Sequence, residues 1–208
     1  MYVPAAFRED DPAEIRRIID AARLAMFITA TAEGLVATPL PLFLAEEDGR
    51  AVIYGHLARA NPQWQMPPIG EALAIFQGPE AYVTPSWYAA KQEHGRVVPT
   101  WNYEAVHAYG PVEFFTDEDR LRDVVTRLTD LHERPRAAPW AVTDAPADFI
   151  TAHLKGIVGL RLPVTRLEGK RKLSQNRSAA DREGVARGLG ESAREGDRVV
   201  SALMRQDG

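Results

Sequence analysis

The sequence predicts an α+β fold, mostly antiparallel, in which short strands form a barrel and helices lie at its periphery. Between residues 25 and 115, short runs rich in β-branched and aromatic residues follow one another and are separated by turn signals. Before and after these runs, apolar residues recur at helical spacing. Many short strands without intervening helices favour antiparallel pairing and closure of the sheet.

The first predicted helix runs from Asp11 to Met26. Asp11 is a suitable N-cap, Pro12 occupies the first helical position, and Glu14 is placed to complete a capping box. One face of this helix carries the apolar residues Ile15, Ile18, Ile19 and Ala22. The spacing therefore predicts an amphipathic helix packed on the sheet.

The predicted strands are residues 25–31, 35–45, 51–58, 72–77, 81–84 and 100–115. Glu33-Gly34 and residues 46–49 are typical of hairpin turns, and Gly78-Pro79 joins two of the runs. The last run alternates as one long strand, with Val106, Ala108, Gly110 and Val112 on one face.

The second half of the chain contains further helical patterns. A capped helix is predicted from Thr116 to His132, and a short helix from Ala147 to Leu154 ends before Gly156. Residues 157–167 return to strand character and are expected to close the sheet. Two weaker helical segments are predicted at 179–189 and 192–204.

Composition narrows the functional classes. The 208 residues include no Cys, so disulfides, thiolate nucleophiles and Cys-ligated metal sites are excluded. The N-terminus has neither a basic segment nor an apolar segment of a signal peptide, and the longest apolar stretch, residues 34–45, contains two prolines and is too short to span a bilayer. We therefore expect a cytoplasmic protein without a membrane partner.

The net charge of −4 argues against a broad nucleic-acid surface. The charge is uneven, however: residues 161–208 contain 11 Lys and Arg against 7 Asp and Glu, a local excess of +4. This C-terminal region is the candidate surface for an anion.

Large amphipathic aromatic side chains are concentrated between Gln77 and Gly110. The stretch contains Tyr82, Trp87, Tyr88, Trp101, Tyr103 and Tyr109. Tyr and Trp are favoured where one end of a side chain is apolar and the other needs a polar partner. The stretch thus predicts either the wall of a pocket for a flat heteroaromatic ligand or a dimer interface.

Two polar segments are candidate phosphate sites. In residues 54–64, Arg59 and Asn61 follow a strand and precede a Pro turn, an arrangement that provides a guanidinium and free backbone N–H groups. The alternative is a simple helix N-terminus with a solvated Arg. In residues 166–177, an extended backbone would place Lys170, Lys172 and Ser174 on one face, either to bind an anion or as a basic, solvated edge strand.

Other types of site are not indicated. His56, His94 and His107 lack a regular metal-ligand spacing, so no metal is expected. The sequence contains no G-x-S-x-G, no P-loop and no dinucleotide-binding glycine motif.

Five motifs in order resemble the PaiB family of FMN-binding negative transcriptional regulators. They are GHLARANPQW (55–64), AIFQGPEAYVTPSWY (74–88), VVPTWNYEAVHAYG (97–110), TDLHE with APADFI (129–133 and 145–150), and KLSQNR (172–177). The resemblance covers residues 1–189, which we take as the split-barrel domain, and leaves 190–208 as a helical or flexible tail. Ser178 stands where the family is expected to have Pro.

The resemblance implies a split β-barrel of the FMN-binding type, related to pyridoxamine-phosphate oxidase, with FMN at a homodimer interface. It places His56, Arg59 and Asn61 on the phosphate side, with Lys172, Ser174 and Gln175 contributed from elsewhere, including the partner chain. The isoalloxazine ring needs flat contacts and polar partners at its edge, for which Trp101, Asn102, Tyr103 and Thr38 are the candidates.

The sequence leaves three functional classes open. The first is an FMN-binding regulator, the second an FMN-dependent oxidoreductase such as a flavin reductase or a pyridoxamine-phosphate oxidase-like enzyme, and the third a heme-binding protein with the same barrel. No helix-turn-helix is recognisable, so direct DNA binding is unproven. No pair of titratable groups indicates proton transfer, so the sequence does not decide whether the protein is an enzyme.

Overall fold

The computed structural model describes residues 1–22 and 24–206, and these residues form ten strands and six α-helices, with four short 3-10 helices. The strands are β1 (Arg8–Glu9), β2 (Ala25–Thr31), β3 (Gly34–Leu40), β4 (Leu42–Glu47), β5 (Arg50–Ala58), β6 (Ala72–Val83), β7 (Thr100–Gly110), β8 (Glu113–Phe115), β9 (Ile157–Pro163) and β10 (Arg166–Lys172). The helices are α1 (Pro12–Ala21), α2 (Ala89–Glu93), α3 (Glu118–Glu133), α4 (Ala147–Leu154), α5 (Ala179–Gly190) and α6 (Glu195–Gln206).

The strands form two sheets. The six-stranded sheet has the order β1-β10-β7-β6-β2-β3, and the four-stranded sheet has the order β4-β5-β9-β8. Neighbouring strands such as β2 and β3, β4 and β5, and β5 and β9 pair antiparallel. The predicted α+β, mostly antiparallel class is therefore confirmed.

The chain divides into two compact units. The first unit comprises Met1–Ile18, Gln77–Val106 and Glu168–Gly208, and the second comprises Ile19–Phe76 and His107–Leu167. The first contains a core between β6, α5 and α6, built from Val83, Tyr88, Leu173, Val185, Leu189 and Val200. The second contains a core under α3 and α4, built from Phe43, Phe115, Leu121, Val124 and Ile150.

Helix α1 begins after Asp11, as predicted, but its cap differs from the expected one. The side chain of Asp11 accepts a hydrogen bond from the N–H of Ala13 at 3.0 Å. The N–H of Asp11 donates to Glu9 rather than to Glu14, because Glu14 is paired with Arg17. The capping box with Glu14 was therefore a wrong prediction.

The apolar face of α1 is buried as predicted. The helix ends at Ala21 rather than at Met26, because β2 begins at Ala25 and its residues follow the two-residue period of a strand. The buried side chains are Ile15, Ile18, Ile19 and Ala22.

Two predicted strands are each divided by a proline. Residues 35–45 belong to β3 and β4, which lie on either side of Pro41 and in different sheets. Residues 100–115 belong to β7 and β8, which Pro111 separates in the same way. Proline has no backbone N–H for a ladder, and at both positions the chain leaves one sheet for the other.

Other boundaries are also set by pairing. The two runs expected on either side of Gly78-Pro79 form the single strand β6, and the expected strand 157–167 is divided into β9 and β10. The hairpin turn of residues 46–49 is confirmed: Asp48 and Gly49 both have positive φ, 49° and 74°, and connect β4 to β5.

The predicted later helices are present with shifted ends. The N-cap of α3 is Asp117, whose side chain accepts from the N–H of Arg120, so the expected start at Thr116 was early. The helix α4 has the predicted limits. Both C-terminal segments are helical, and α6 is amphipathic, with Val200, Leu203 and Met204 buried against the first unit's core.

Candidate functional site

In the second unit, Asn61 and Thr38 belong to a network that holds the turn after β5. Asn61 accepts from the N–H of Gln63 at 2.9 Å and thereby caps the short 3-10 helix Pro62–Gln65. Its Nδ2 donates to Thr38 Oγ1 at 3.0 Å, and Thr38 donates to Gln63 Oε1 at 2.6 Å. For Asn61 the geometry is thus that of a helix N-terminus.

Gln63 is the centre of this network and was not among the predicted site residues. Its side chain is fully buried, and Nε2 donates to Thr29 Oγ1 at 3.0 Å and to the carbonyl of Val36 at 3.3 Å. A polar residue within the GHLARANPQW motif was the one signal in the sequence, but its burial depends on the position of β2 and β3.

Arg59 follows β5 and is exposed. Its Nε donates to the carbonyl of Lys155 at 2.6 Å and its Nη2 to the carbonyl of Ile157 at 3.3 Å, so it caps the C-terminal end of α4. Within residues 1–22 and 24–206, no carboxylate pairs with this guanidinium. Its charge is therefore available to an anionic ligand.

His56 lies on the face of β5 that is covered by the second unit's core. His56 is paired with Gly159 on the neighbouring strand, so the side-chain positions of both residues lie on the same face of the sheet. A Cβ at Gly159 would collide with the ring of Phe115, which belongs to the core under α3, so the side chain of His56 also points towards α3. In the described part of the chain, its Nδ1 is buried without a hydrogen-bond partner. Burial lowers the pKa of His56 below its usual 6.5. At neutral pH this imidazole offers a hydrogen bond but no positive charge.

In the first unit, the alternation of β7 separates the predicted ring contacts onto two faces. Trp101 and Tyr103 lie on one face, and Trp101 is 47% exposed. Asn102 and Glu104 lie on the other and have no exposed surface. Trp101 and Tyr103 are thus accessible to a ligand from one side of the sheet, whereas Asn102 belongs to the interior.

Two lysines of β10 lie beside these aromatic rings. Lys170 Nζ is 5.1 Å from the ring centre of Tyr103 and donates to the carbonyl of Tyr2 at 3.1 Å. Lys172 Nζ donates to Thr100 Oγ1 at 2.6 Å and to the carbonyl of Trp101. In the part of the chain that the structure describes, neither lysine pairs with a carboxylate.

The pKa of Lys172 is lowered from its usual 10.5. Burial is the largest cause, and the positive charges of Lys170 and Arg177 add to it. The positive charges of Lys170 and Arg177 therefore disfavour the charge of Lys172, and an anion in their vicinity would relieve this repulsion.

Tyr82 completes this surface. Its ring lies 5.9 Å from that of Trp101 at an interplanar angle of 70°, and it is 44% exposed. We call the set Tyr82, Trp101, Tyr103, Lys170 and Lys172 the aromatic–lysine face. Trp87 and Tyr88, from the same aromatic stretch, instead pack in the core against α5 and α6.

Ser174 and Gln175 hold the turn after β10. Ser174 is buried with φ of 66° and donates from Oγ to Asn102 Oδ1 at 3.1 Å. Gln175 accepts from the N–H of Leu173 at 2.7 Å and donates to the carbonyl of Arg171 at 2.8 Å. The expected shared face of Lys170, Lys172 and Ser174 is wrong for Ser174, because β10 ends at Lys172 and the backbone turns.

A buried ion network lies on the interior face of the same strands. Glu104 accepts from Arg171 Nε at 2.7 Å and from Arg17 Nη2 at 2.7 and 2.9 Å. Arg171 also lies 3.5 Å from Glu9. No pattern in the sequence indicates this network, because its members are far apart in the chain and none lies in a periodic charge pattern.

Within each unit, the structure brings together part of the predicted site. In the first unit it joins Trp101 to Lys172 and Asn102 to Ser174, and in the second it joins Thr38 to Asn61. His56 and Arg59 have separate surroundings in the second unit. Residues 1–22 and 24–206 contain no cluster of three His, Cys, Asp or Glu that could hold a metal, and none of their helices is long and apolar enough to cross a membrane.

Known proteins resemble this chain over most of its length. A family model described as "Putative FMN-binding domain" matches residues 1–166. Protease synthase and sporulation protein PAI 2 of Bacillus subtilis is 32% identical over 205 residues, which cover 98% of this chain and 96% of that protein. A protein of Aspergillus fumigatus is 33% identical over 189 residues, 74% of this chain and 72% of its own.

Solved structures resemble the fold. The FAD and heme binding protein from Mycobacterium smegmatis has a TM-score of 0.59 at 16% identity, with 87% of this chain and 80% of that chain covered. The flavocytochrome Anf3 from Azotobacter vinelandii has a TM-score of 0.56 at 14% identity, with 79% and 69% covered. These likenesses confirm the split β-barrel, whose two sheets do not close into one continuous barrel.

Proposed function

Because the chain belongs to the PaiB family of FMN-binding split-barrel proteins, with FMN as cofactor, we propose that FMN binds at the aromatic–lysine face of the first unit. The observation that carries this placement is the positive charge of the partly exposed Lys172 beside exposed aromatic rings, with the buried Lys170 next to it. Within the described residues, no carboxylate pairs with either lysine. A flat ligand with an anionic group matches both features.

The chemistry of this face fits FMN. The exposed rings of Trp101 and Tyr82 provide apolar area for an isoalloxazine, and the ammonium groups of Lys170 and Lys172 provide charge for a phosphate or for the electron-rich edge of the ring. Bound FMN supplies hydride and electron transfer, while the chain's own groups bind and orient it.

The ten predicted contact residues divide into two groups with different roles in this proposal. Trp101, Tyr103, Lys172 and Arg59 have an accessible ring or charge and are proposed to contact FMN directly. The remaining residues are engaged in hydrogen bonds or buried and are proposed to hold the backbone of the site: Thr38, His56, Asn61, Asn102, Ser174 and Gln175. Arg59 of one protomer is the proposed phosphate ligand, with Lys172 supplied by the partner chain.

The protein is proposed to be a homodimer. Trp101 and Tyr82 leave almost half of their area exposed, and Tyr2 is 82% exposed, which is a large apolar surface for one chain. Covering this surface with a second copy would bury the rings and enclose a flavin between the two chains. Sedimentation should show a dimer at micromolar concentration, and Trp101→Asp should shift it towards monomer. A monomeric wild type would contradict the proposal.

The cellular role is proposed to be that of a negative regulator of transcription in the cytoplasm, as in the PaiB family. The similarity to PAI 2, whose name refers to protease synthesis and sporulation, extends over nearly the whole chain and supports a regulatory role.

The binding proposal is tested by titrating FMN against wild type and Lys172→Met while flavin fluorescence is followed. Loss of one charged contact should weaken FMN binding about tenfold to hundredfold. Lys91→Met is the matched control, because Lys91 is an exposed lysine of the same unit that is bonded to Ser86. Equal affinity of wild type and Lys172→Met would contradict this placement of the site.

The absorption spectrum of the purified protein distinguishes the remaining classes. FMN gives the two visible bands of a flavin, whereas the heme alternative predicts a Soret band. Sustained oxidation of a nicotinamide donor in the presence of an electron acceptor would identify the FMN-dependent oxidoreductase alternative instead.

A further inference from the structure

Helix α6 contacts the interior side of the proposed flavin site through Met204. The Nδ2 group of Asn102 lies 3.4 Å from Sδ of Met204 and donates to it. Asn102 is fully buried and Met204 is 3% exposed, so water does not compete for this contact. The match to the family model ends at residue 166, so it does not include α6.

The contact orients the amide of Asn102. The thioether of Met204 accepts hydrogen bonds but cannot donate, whereas the hydroxyl of Ser174 can do either. If the amide were reversed, Oδ1 would face the sulfur and two acceptors would oppose each other. Met204 is therefore the partner that selects the observed orientation, and Oδ1 is left to accept from Ser174 at 3.1 Å.

The orientation of Asn102 in turn holds the turn that ends β10. Ser174 has φ of 66°, a left-handed conformation that is unfavourable for a residue with a Cβ and needs compensating contacts. Its buried bond to Asn102 is such a contact. The residue two positions earlier is Lys172, whose ammonium group lies on the aromatic–lysine face.

Helix α6 is itself fixed in position. Ser201 donates from Oγ to the carbonyl of Ala186 in α5 at 2.6 Å, and both residues are buried. Val200 and Leu203 pack in the same core as Leu173, the residue between Lys172 and Ser174. A continuous buried path thus connects α6 with the end of β10.

We infer that Met204 is a positioning residue for the flavin site: it orients Asn102, and through Ser174 it fixes the Lys172 end of the aromatic–lysine face. This inference rests on the proposed function for its effect on FMN. The orientation itself is a property of the flavin-free protein and is measurable without the cofactor.

The first test uses NMR of the flavin-free protein. Met204→Leu keeps nearly the same volume but removes the acceptor. The side-chain amide signal of Asn102, assigned by its loss in Asn102→Leu, should shift in Met204→Leu, and so should the backbone signal of Ser174. Val200→Ala is the matched control, since Val200 is equally buried on α6 and has no bond to Asn102. An unchanged Asn102 signal in Met204→Leu would overturn the inference.

The second test measures FMN affinity together with melting temperature. Met204→Leu should weaken FMN binding about twofold to tenfold, the equivalent of one ordinary hydrogen bond, with little change in melting temperature. Val200→Ala should lower the melting temperature and leave FMN affinity unchanged. If both variants weaken FMN binding in proportion to their loss of stability, Met204 has only a packing role and the inference is wrong.

A third comparison separates this inference from the proposed function. In the background of Asn102→Leu, the change Met204→Leu should have no further effect on FMN affinity, because its route to the site is gone. Additive effects would overturn the inference while wild-type FMN binding upholds the proposed function. If wild type binds no FMN, the proposed function fails, and the NMR shifts alone decide whether Met204 orients Asn102.

Discussion

Arg171 donates a hydrogen bond from Nε to Oε1 of Glu104 at 2.7 Å, at a point where Glu104 has no exposed surface. Arg17 donates to both oxygens of the same carboxylate. A buried carboxylate is tolerated only when it is paired and hydrogen-bonded, and here the two partners come from α1 and β10. The pair therefore fixes β7 beside β10 on the side opposite the aromatic–lysine face.

Replacing Glu104 by Ala should strongly destabilise the protein. It leaves Arg171, whose side chain is only 10% exposed, without its main partner, and breaking a buried pair in this way costs about 3–5 kcal/mol. Glu104→Gln should cost less, because the amide keeps one acceptor. Urea unfolding measures both, with Glu113→Ala as control for an exposed pair worth less than about 1 kcal/mol. A similar small loss in all three variants would contradict a stabilising role for the network.

Stability should fall in mild acid because of His56. Burial lowers the pKa of His56 in the folded state, whereas the unfolded chain binds its proton near pH 6.5. The unfolded state thus binds more protons below this pH, so the stability contributed by neutral His56 is present above pH 6.5 and is lost as the pH falls towards the folded pKa. Urea unfolding between pH 7.5 and 5.5 should show a smaller decrease for His56→Gln than for wild type.

The control for this pH dependence is His132→Gln, since His132 is exposed on α3. This variant should retain the wild-type decrease in stability. If His56→Gln and wild type lose stability in parallel, other groups cause the pH dependence.

Arg59→Ala should weaken the binding of FMN but not of riboflavin. If Arg59 holds the phosphate, its removal deletes a charge-assisted contact of about 1.5–3 kcal/mol, or roughly a tenfold to hundredfold loss of affinity. Riboflavin has no phosphate, so its affinity should scarcely change. Fluorescence titration with both ligands measures the difference.

The bonds from Arg59 to the carbonyls of Lys155 and Ile157 provide the control for this experiment. Arg59→Lys keeps the charge but not the two-pronged donor, and should therefore retain part of the FMN affinity. Equal weakening for FMN and riboflavin would show that Arg59 supports α4 rather than the phosphate. Tight FMN binding by Arg59→Ala would show that Arg59 does not bind the phosphate, and would assign that role to Lys170 and Lys172.

If the protein binds operator DNA directly, we expect the arginines of the C-terminal region to contribute. Removal of residues 190–208 would expose the core that Val200 and Met204 cover and would thereby disturb the fold. Substitution of the arginines changes only the charge and is therefore the better test. In the triple variant Arg194→Gln, Arg198→Gln and Arg205→Gln, each lost phosphate contact should reduce the slope of log K against log salt by about 0.9. Anisotropy of a labelled duplex measures this slope.

The matched variant for the DNA experiment is Arg134→Gln with Arg136→Gln, two exposed arginines of the second unit. It should leave the slope unchanged. An identical slope in wild type and in the triple arginine variant would show that the phosphate contacts lie elsewhere.

Elements whose signals are local were predictable from the sequence alone. The buried face of α1, the turn at Asp48-Gly49 and the limits of α4 follow from spacing, φ preferences and helix stop signals within a few residues. The ordered motifs were likewise sufficient to indicate the family and its split barrel.

The division of the strands between the two sheets was not predictable from the sequence. The alternation of residues 100–115 continues across Pro111, and the pattern of residues 35–45 across Pro41, so neither reveals that the chain changes sheets there. Strand ends are set by which partner is available to accept hydrogen bonds, and that partner is far away in the chain.

The tertiary structure also decided which motif residues face a ligand. The sequence indicated that Trp101, Asn102 and Lys172 belong to functional motifs, but not that Asn102 points into the interior while the other two lie on the accessible side. That division depends on which face of β7 meets Met204 of α6, and on bonds such as those of Asn102 to Ser174 and Met204. These contacts join residues at least 72 positions apart, and no local propensity encodes them.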